Sequence, residues 1–257
     1  MKKAAPLALT AVALMLSACS SSDTGATTES GIALVAEGKL TVCTNPPYAP
    51  FEYEENGEIV GLDADIASAI ASDLGVEATM FTTSFEGIQS GVALSSKQCD
   101  IALSGITVTD ERKTVMNFTE PYVDDDLAIL VPENSSISSE ADLSGAKIGV
   151  QQATSGEKYA QEAGANTVQY EDNGLLLQAV QTGQVDAIVG NITVLSEMLK
   201  SDSSLTVAQQ IESGEKIAGA VATDNTALLD AANETLKKME EDGRLADLRE
   251  KYLGVSQ

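Results

Sequence analysis

The 257-residue sequence contains no histidine and no tryptophan. Without histidine there is no Ser-His-Asp triad, no imidazole general base and no His-ligated metal. Basic residues are scarce: 15 Lys and Arg stand against 39 Asp and Glu, a formal net charge of −24. Phosphate contacts need a basic face, so nucleic acid is excluded as a partner. Aromatics amount to four Phe and six Tyr, and there are three cysteines. Long apolar runs are also missing. The longest, Ala4 to Leu16, is shorter than the roughly 20 residues a membrane-spanning helix needs. What is present is an ordinary apolar share of 43%, enough for a folded chain. The length suits one large domain or two modest ones.

The apolar run belongs to an export leader. Lys2 and Lys3 form a positive n-region, Ala4 to Leu16 the hydrophobic stretch, and Leu16-Ser17-Ala18-Cys19 the cleavage region. Cys19 after Leu-Ser-Ala resembles a bacterial lipobox. That resemblance implies a signal peptide over 1–18, cleavage before Cys19, lipidation of its sulfur and anchoring to the cell membrane. The small polar residues that follow read as a flexible tether within 19–36. Cys43 and Cys99 remain, and in an exported protein an even pair suggests a disulfide. The alternative is two buried free thiols.

From Lys39 strand and helix signals alternate. Lys39–Thr44, Val76–Phe81 and Cys99–Leu103 read as strands. Ile66, Ile70 and Leu74 mark an amphipathic helix over 63–74, stopped by Gly75. Phe85, Ile88 and Val92 share one face of a short helix. A second cycle follows the extended run 127–131. Its strands are 146–150, 167–170 and 185–189. Its helices open at Thr154, in a capping-box spacing with Glu157, at Asn173 as a cap, and after Asn191. Residues 216–223 are extended, and helices 226–241 and 245–252 close the chain. Alternation of this kind specifies an α/β fold with parallel sheets. Two cycles joined by two extended runs, near 127–132 and 216–223, predict two lobes with a hinge.

Four segments carry a family resemblance: Asn45-Pro46-Pro47-Tyr48-Ala49-Pro50-Phe51-Glu52, Gly61-Leu62-Asp63-Ala64-Asp65-Ile66, Gly105-Ile106-Thr107-Val108-Thr109-Asp110-Glu111-Arg112, and Phe118-Thr119-Glu120-Pro121-Tyr122. In this order they resemble the periplasmic and lipoprotein substrate-binding proteins of bacterial amino-acid ABC importers, solute-binding family 3. The resemblance covers roughly residues 37–254. It implies a periplasmic-binding-protein-like fold of two lobes, each a mainly parallel sheet flanked by helices, with a two-strand hinge. Lobe 1 would be discontinuous, 37–128 plus 217–257, and lobe 2 would span 129–216. The implied activity is capture of a small carboxylate-bearing solute, most simply an amino acid. Delivery would be to a membrane permease and ATPase pair by a monomer with no metal and no cofactor.

Arg112 is one of three arginines, and its planar fork matches a carboxylate in two hydrogen bonds. By resemblance Ser104, Gly105 and Thr107 complete that clamp. Tyr48 and Phe85 wall the ligand side chain, and Gln151, Thr154 and Ser155 supply the second lobe's carboxylate-binding segment at a helix N-terminus. One departure stands out. Relatives that bind α-amino acids place acids where this chain has Asn45 and Asn191. An amide accepts a hydrogen bond from an ammonium but carries no countercharge. Glu52 and Asp124–Asp126 are the available substitutes. Two rivals share the fold: a periplasmic dehydratase-like enzyme built on a carboxylate acid or base, and a ligand sensor. Fold alone does not separate these roles.

Overall fold

The computed structural model describes Met1, residues 26–28 and residues 30–254. The leader at 1–18 and the lipidation site Cys19 lie outside the described residues. No helix among the described residues is long and apolar enough to cross a membrane. The tether expected to extend to residue 36 is already ordered before that point. Strand β1 (Ala26–Thr27) pairs antiparallel with β2 (Ala33–Leu34), Ile32 and Leu34 are buried, and the Val35 amide donates to Asp100 Oδ1 at 2.7 Å. Burial of those two apolar side chains is what holds this stretch against the body.

Two five-stranded sheets carry the rest. The first is built from β3 (Lys39–Thr44), β6 (Glu77–Thr82), β7 (Ile101–Ala102), β8 (Asn117–Phe118) and β14 (Ala220–Val221), in the order β6-β3-β7-β14-β8. The second is built from β9 (Val123–Pro132), β10 (Lys147–Gln151), β11 (Asn166–Tyr170), β12 (Ala187–Asn191) and β13 (Leu205–Ile217), in the order β11-β10-β12-β9-β13. In each, a parallel trio is continued by antiparallel strands. A small hairpin, β4 (Tyr53–Glu55) with β5 (Glu58–Val60), leads into the first helix.

Helix α1 (Leu62–Asp73) packs with α7 (Thr226–Glu241) and α8 (Arg244–Leu253) on the first sheet. Ile66 and Ile70 of α1 are fully buried, as their four-residue spacing requires. Helices α4 (Ser155–Glu162), α5 (Asn173–Gln181) and α6 (Ile192–Ser201) flank the second sheet. Strand β9 shows the period of two directly. Leu127, Ile129 and Val131 enter one core, Ala128 and Leu130 the other, because both faces of this central strand are covered.

Several local expectations change. The strand expected over 99–103 shortens to Ile101–Ala102. The helix carrying Phe85 divides into α2 (Phe85–Gln89) and α3 (Val92–Ser95), because Gly91 turns the chain at φ +73° and leaves Val92 exposed. Asp172, not Asn173, caps α5; its side chain accepts from the Leu175 amide at 2.9 Å. Cys43 and Cys99 are bonded, joining β3 to the segment before β7.

The chain passes between the sheets twice. The run near 127–132 expected as a hinge is not one: the whole strand Val123–Pro132 pairs within the second sheet, so the first passage is the segment 119–122. The second is 218–219, between β13 and β14. The two passages are bonded to each other: the Tyr122 amide donates to the Ile217 carbonyl at 3.0 Å and the Thr119 amide to the Gly219 carbonyl at 2.8 Å.

Candidate functional site

In open α/β sheets the crevice lies beyond the carboxyl ends of the parallel strands. The first half offers two loops there, 45–51 after β3 and 103–107 after β7, and then the 3-10 turn Arg112–Thr114. Gly105 lies at φ +52°, and a Cβ built there would approach Tyr48 Cε1 to 2.5 Å. Glycine is therefore required for the tyrosine ring to lie across this loop. The Gly105 amide itself donates to Asp63 Oδ2 at 2.7 Å. The Ser104 hydroxyl donates to Glu52 and accepts from the Asn45 amide at 3.1 Å. Ser104 and Gly105 thus form a buried layer that positions Asn45 and Tyr48. Burial raises the carboxyl pKa of both acids in this layer. Asp63 reaches about 7 despite hydrogen bonds from Tyr122 and Gly105, and Glu52 is pushed up further by the Asp63 charge.

Arg112 is only 4% exposed. Its Nη1 donates to the Thr107 carbonyl at 2.8 Å, its Nη2 crosses to the Ala153 carbonyl at 2.9 Å, and its guanidinium carbon lies 5.2 Å from the Phe85 ring centroid. No carboxylate among the described residues lies within ion-pair distance of it. Burial pulls its pKa down, but a guanidinium stays protonated. The result is a buried cation held by two backbone carbonyls and an aromatic face.

The second half faces it with the start of α4 and the ends of β10 and β12. Thr154 caps α4, accepting from the Glu157 amide at 3.2 Å as its spacing predicts. The Glu157 carboxylate reaches one residue further back than a capping box does, to the Ala153 amide at 2.6 Å. Gln151 Nε2 donates to Asn45 Oδ1 at 3.0 Å and its Oε1 accepts from Asn173 at 3.1 Å. Asn191 stands at the N-cap of α6 without capping it. Its Oδ1 accepts from the Tyr48 hydroxyl at 3.1 Å, and its Nδ2 donates to Glu215 Oε2 at 2.9 Å.

Glu215 is the residue the sequence reading missed. Its Oε2 also accepts from Thr107 Oγ1 and Ser155 Oγ, both at 3.0 Å, so one carboxylate oxygen gathers three donors from both halves. Its position comes from β13. Ile211 pairs with Leu127 and Glu215 with Asp125, so four steps on one strand oppose two on the other. Gly214, at φ +63°, lies in this bulge. Nothing in the polar run Glu212-Ser213-Gly214-Glu215 signals that outcome. Tyr48, Thr107, Ser155 and Asn191 therefore gather around Glu215, Asn45 pairs with Gln151, and Arg112 joins Thr107 to Ala153, with Phe85 at the guanidinium and Thr154 at the helix start. A space of about 10 Å³ lies between Tyr48 and the second half, where Gln151, Asn173, Leu176, Asn191 and Leu195 are among its walls. Larger grooves of about 660 and 640 Å³ open on either side, and Glu215 forms part of the wall of both.

A family model described as bacterial extracellular solute-binding proteins, family 3, matches residues 40–255. The chain is 33% identical over 250 residues to the arginine-binding extracellular protein ArtP of Bacillus subtilis, covering 94% of this chain and 93% of that protein. It is 30% identical over 224 residues to the L-cystine-binding protein TcyJ of Escherichia coli, covering 85% and 84%. Among solved structures, the amino-acid ABC transporter substrate-binding protein AbpA of Streptococcus pneumoniae, bound to L-arginine, matches with a TM-score of 0.78 and 32% identity, covering 83% of this chain and 94% of that one.

Proposed function

Because the chain belongs to the bacterial extracellular solute-binding proteins, family 3, we propose that it captures an amino acid outside the cytoplasm and delivers it to an ABC importer. The family is one of solute-binding transport proteins rather than enzymes. The observation that carries the proposal is Arg112. A buried guanidinium without a carboxylate partner among the described residues is costly unless an anion arrives, and its fork fits a ligand carboxylate. The Thr107 and Ser155 hydroxyls donate to Glu215 and the Thr154 hydroxyl to the Gln151 carbonyl, so they serve a ligand by exchanging partners. Tyr48 and Phe85 offer apolar walls. Relatives named for arginine and cystine support an amino acid as the class.

Entry between the halves requires opening, since Arg112 bonds to Ala153, Tyr48 to Asn191 and Gln151 to Asn45 across the crevice. The passages 119–122 and 218–219 are the hinge, dividing a first lobe completed by the C-terminal helices from a second lobe built on β9–β13. Ligand contact with both lobes then drives closure as a population shift. Cys19, lipidated after cleavage of 1–18, anchors the monomer beside its permease and ATPase. A thermal-shift panel of L-amino acids tests the reading. A ligand at 100 times its Kd stabilises by about 2.7 kcal/mol, so at least one amino acid should raise the midpoint clearly; no shift from any of them would refute it.

A further inference from the structure

Two acids of the second sheet, Glu215 and Asp125, stand together at the cleft. Glu215 and Asp125 are register partners on β13 and β9, so they stand directly opposite each other across adjacent strands. Both also line the same groove of about 640 Å³. Like charges in that relation destabilise a sheet. Asp125 is 6% exposed, and its Oδ1 accepts from Thr193 Oγ1 at 2.8 Å and from the Asp126 amide at 2.9 Å. Its Oδ2 is buried with no hydrogen-bond partner among the described residues. The lysines that line the groove are already committed, Lys216 to Asp124 and Lys200 to Glu197. A buried carboxylate with an unpartnered oxygen, opposite a second acid on the adjacent strand, is an arrangement that a cation relieves.

We propose that Glu215 and Asp125 together form the receptor for a cationic group of the bound amino acid, supplying the countercharge that Asn45 and Asn191 lack. This inference rests on the amino-acid reading above. Asn191 hands its amide hydrogen to Glu215, so the charge sits one hydrogen bond away from the asparagine. The carboxylate end of the ligand goes to Arg112 and the cationic end to this pair. The receptor takes an ammonium or a guanidinium, borne by the α-carbon or by a side chain. Burial lifts the Asp125 carboxyl to about 6, Thr193 and the Asp126 amide oppose that rise, and the Glu215 charge adds to it, consistent with a pair that lacks its cation.

The test is titration calorimetry on the full protein, Glu215→Gln and Asp125→Asn. The probes are L-arginine, L-glutamine, L-cystine, the arginine analogue lacking the α-amino group, and pentanoate as a carboxylate with no cation. Each variant should weaken the amino acids that bind wild type by at least about tenfold, while pentanoate changes little. The ligand-free variants should melt no lower than wild type, because a like-charge contact has been removed; a merely structural role would lower the melt. Loss of arginine binding with retained binding of the deaminated analogue places the α-ammonium in the receptor, and loss of both places the guanidinium there. Unchanged or tighter amino-acid binding, equal weakening of pentanoate, or an effect in only one variant would overturn the pair. If wild type binds none of the amino acids, or Arg112→Ala binds them as wild type does, the amino-acid reading fails first and separately.

Discussion

Ala153 holds φ +66°, a left-handed backbone conformation that costs a residue with a Cβ about 1–2 kcal/mol. It is kept there because its amide meets Glu157 and its carbonyl meets Arg112, one contact on each side of the cleft. Both contacts are backbone contacts, so Ala153→Gly retains them and removes the strain, less the extra entropy glycine loses on folding. The variant should be more stable by about 0.5–1 kcal/mol in thermal or denaturant melts. A lower midpoint would show that the methyl group contributes more than the strain costs. At this scale the sequence was legible where a residue type is scarce and its chemistry specific. The family resemblance pointed to Arg112, one of three arginines, and to Tyr48 and Phe85, two of ten aromatics, and the structure brings Arg112 and Phe85 into contact. Glu215 could not be singled out, because it is one of 39 acids in a polar run.

Elements were legible where periodicity is strong and boundaries are chemical. Helix α1 and strands β3 and β10 fall within about a residue of expectation because apolar spacing and Gly or Thr boundaries fix them. The bulge in β13 was not, because it depends on pairing with β9, which no local signal contains. The start of α1 has its own consequence. Asp63 lies in the first turn, buried, accepting from the Gly105 amide and the Tyr122 hydroxyl at 2.7 Å each. Its pKa in the fold is about 7, above the ordinary value near 3.9 in an unfolded chain. The fold therefore binds this proton more tightly than the unfolded chain does. Its contribution to stability is greatest below about pH 4 and is lost as pH rises toward 7. Wild type should lose thermal stability across that window, and Asp63→Asn should show a flatter profile. Parallel profiles would mean that the carboxyl is ionised in the fold throughout.

At the scale of the molecule, two sheets of five strands meet across a cleft and are joined by two short, mutually bonded passages. The two-cycle pattern foretold the α/β fold, whereas where the chain crosses was harder to read. The run 127–132 reads as a link in sequence yet pairs within the second sheet, because its alternation serves two covered faces. The central claim is that this cleft closes on a ligand carboxylate through Arg112. Titration calorimetry of wild type and Arg112→Ala, using the amino acid that gives the largest thermal shift, tests it most directly. Removing one partner from a buried ion pair costs about 3–5 kcal/mol, so the variant should bind at least about a hundredfold more weakly. Equal affinity in the two proteins would contradict the account, because the anion would then be held elsewhere.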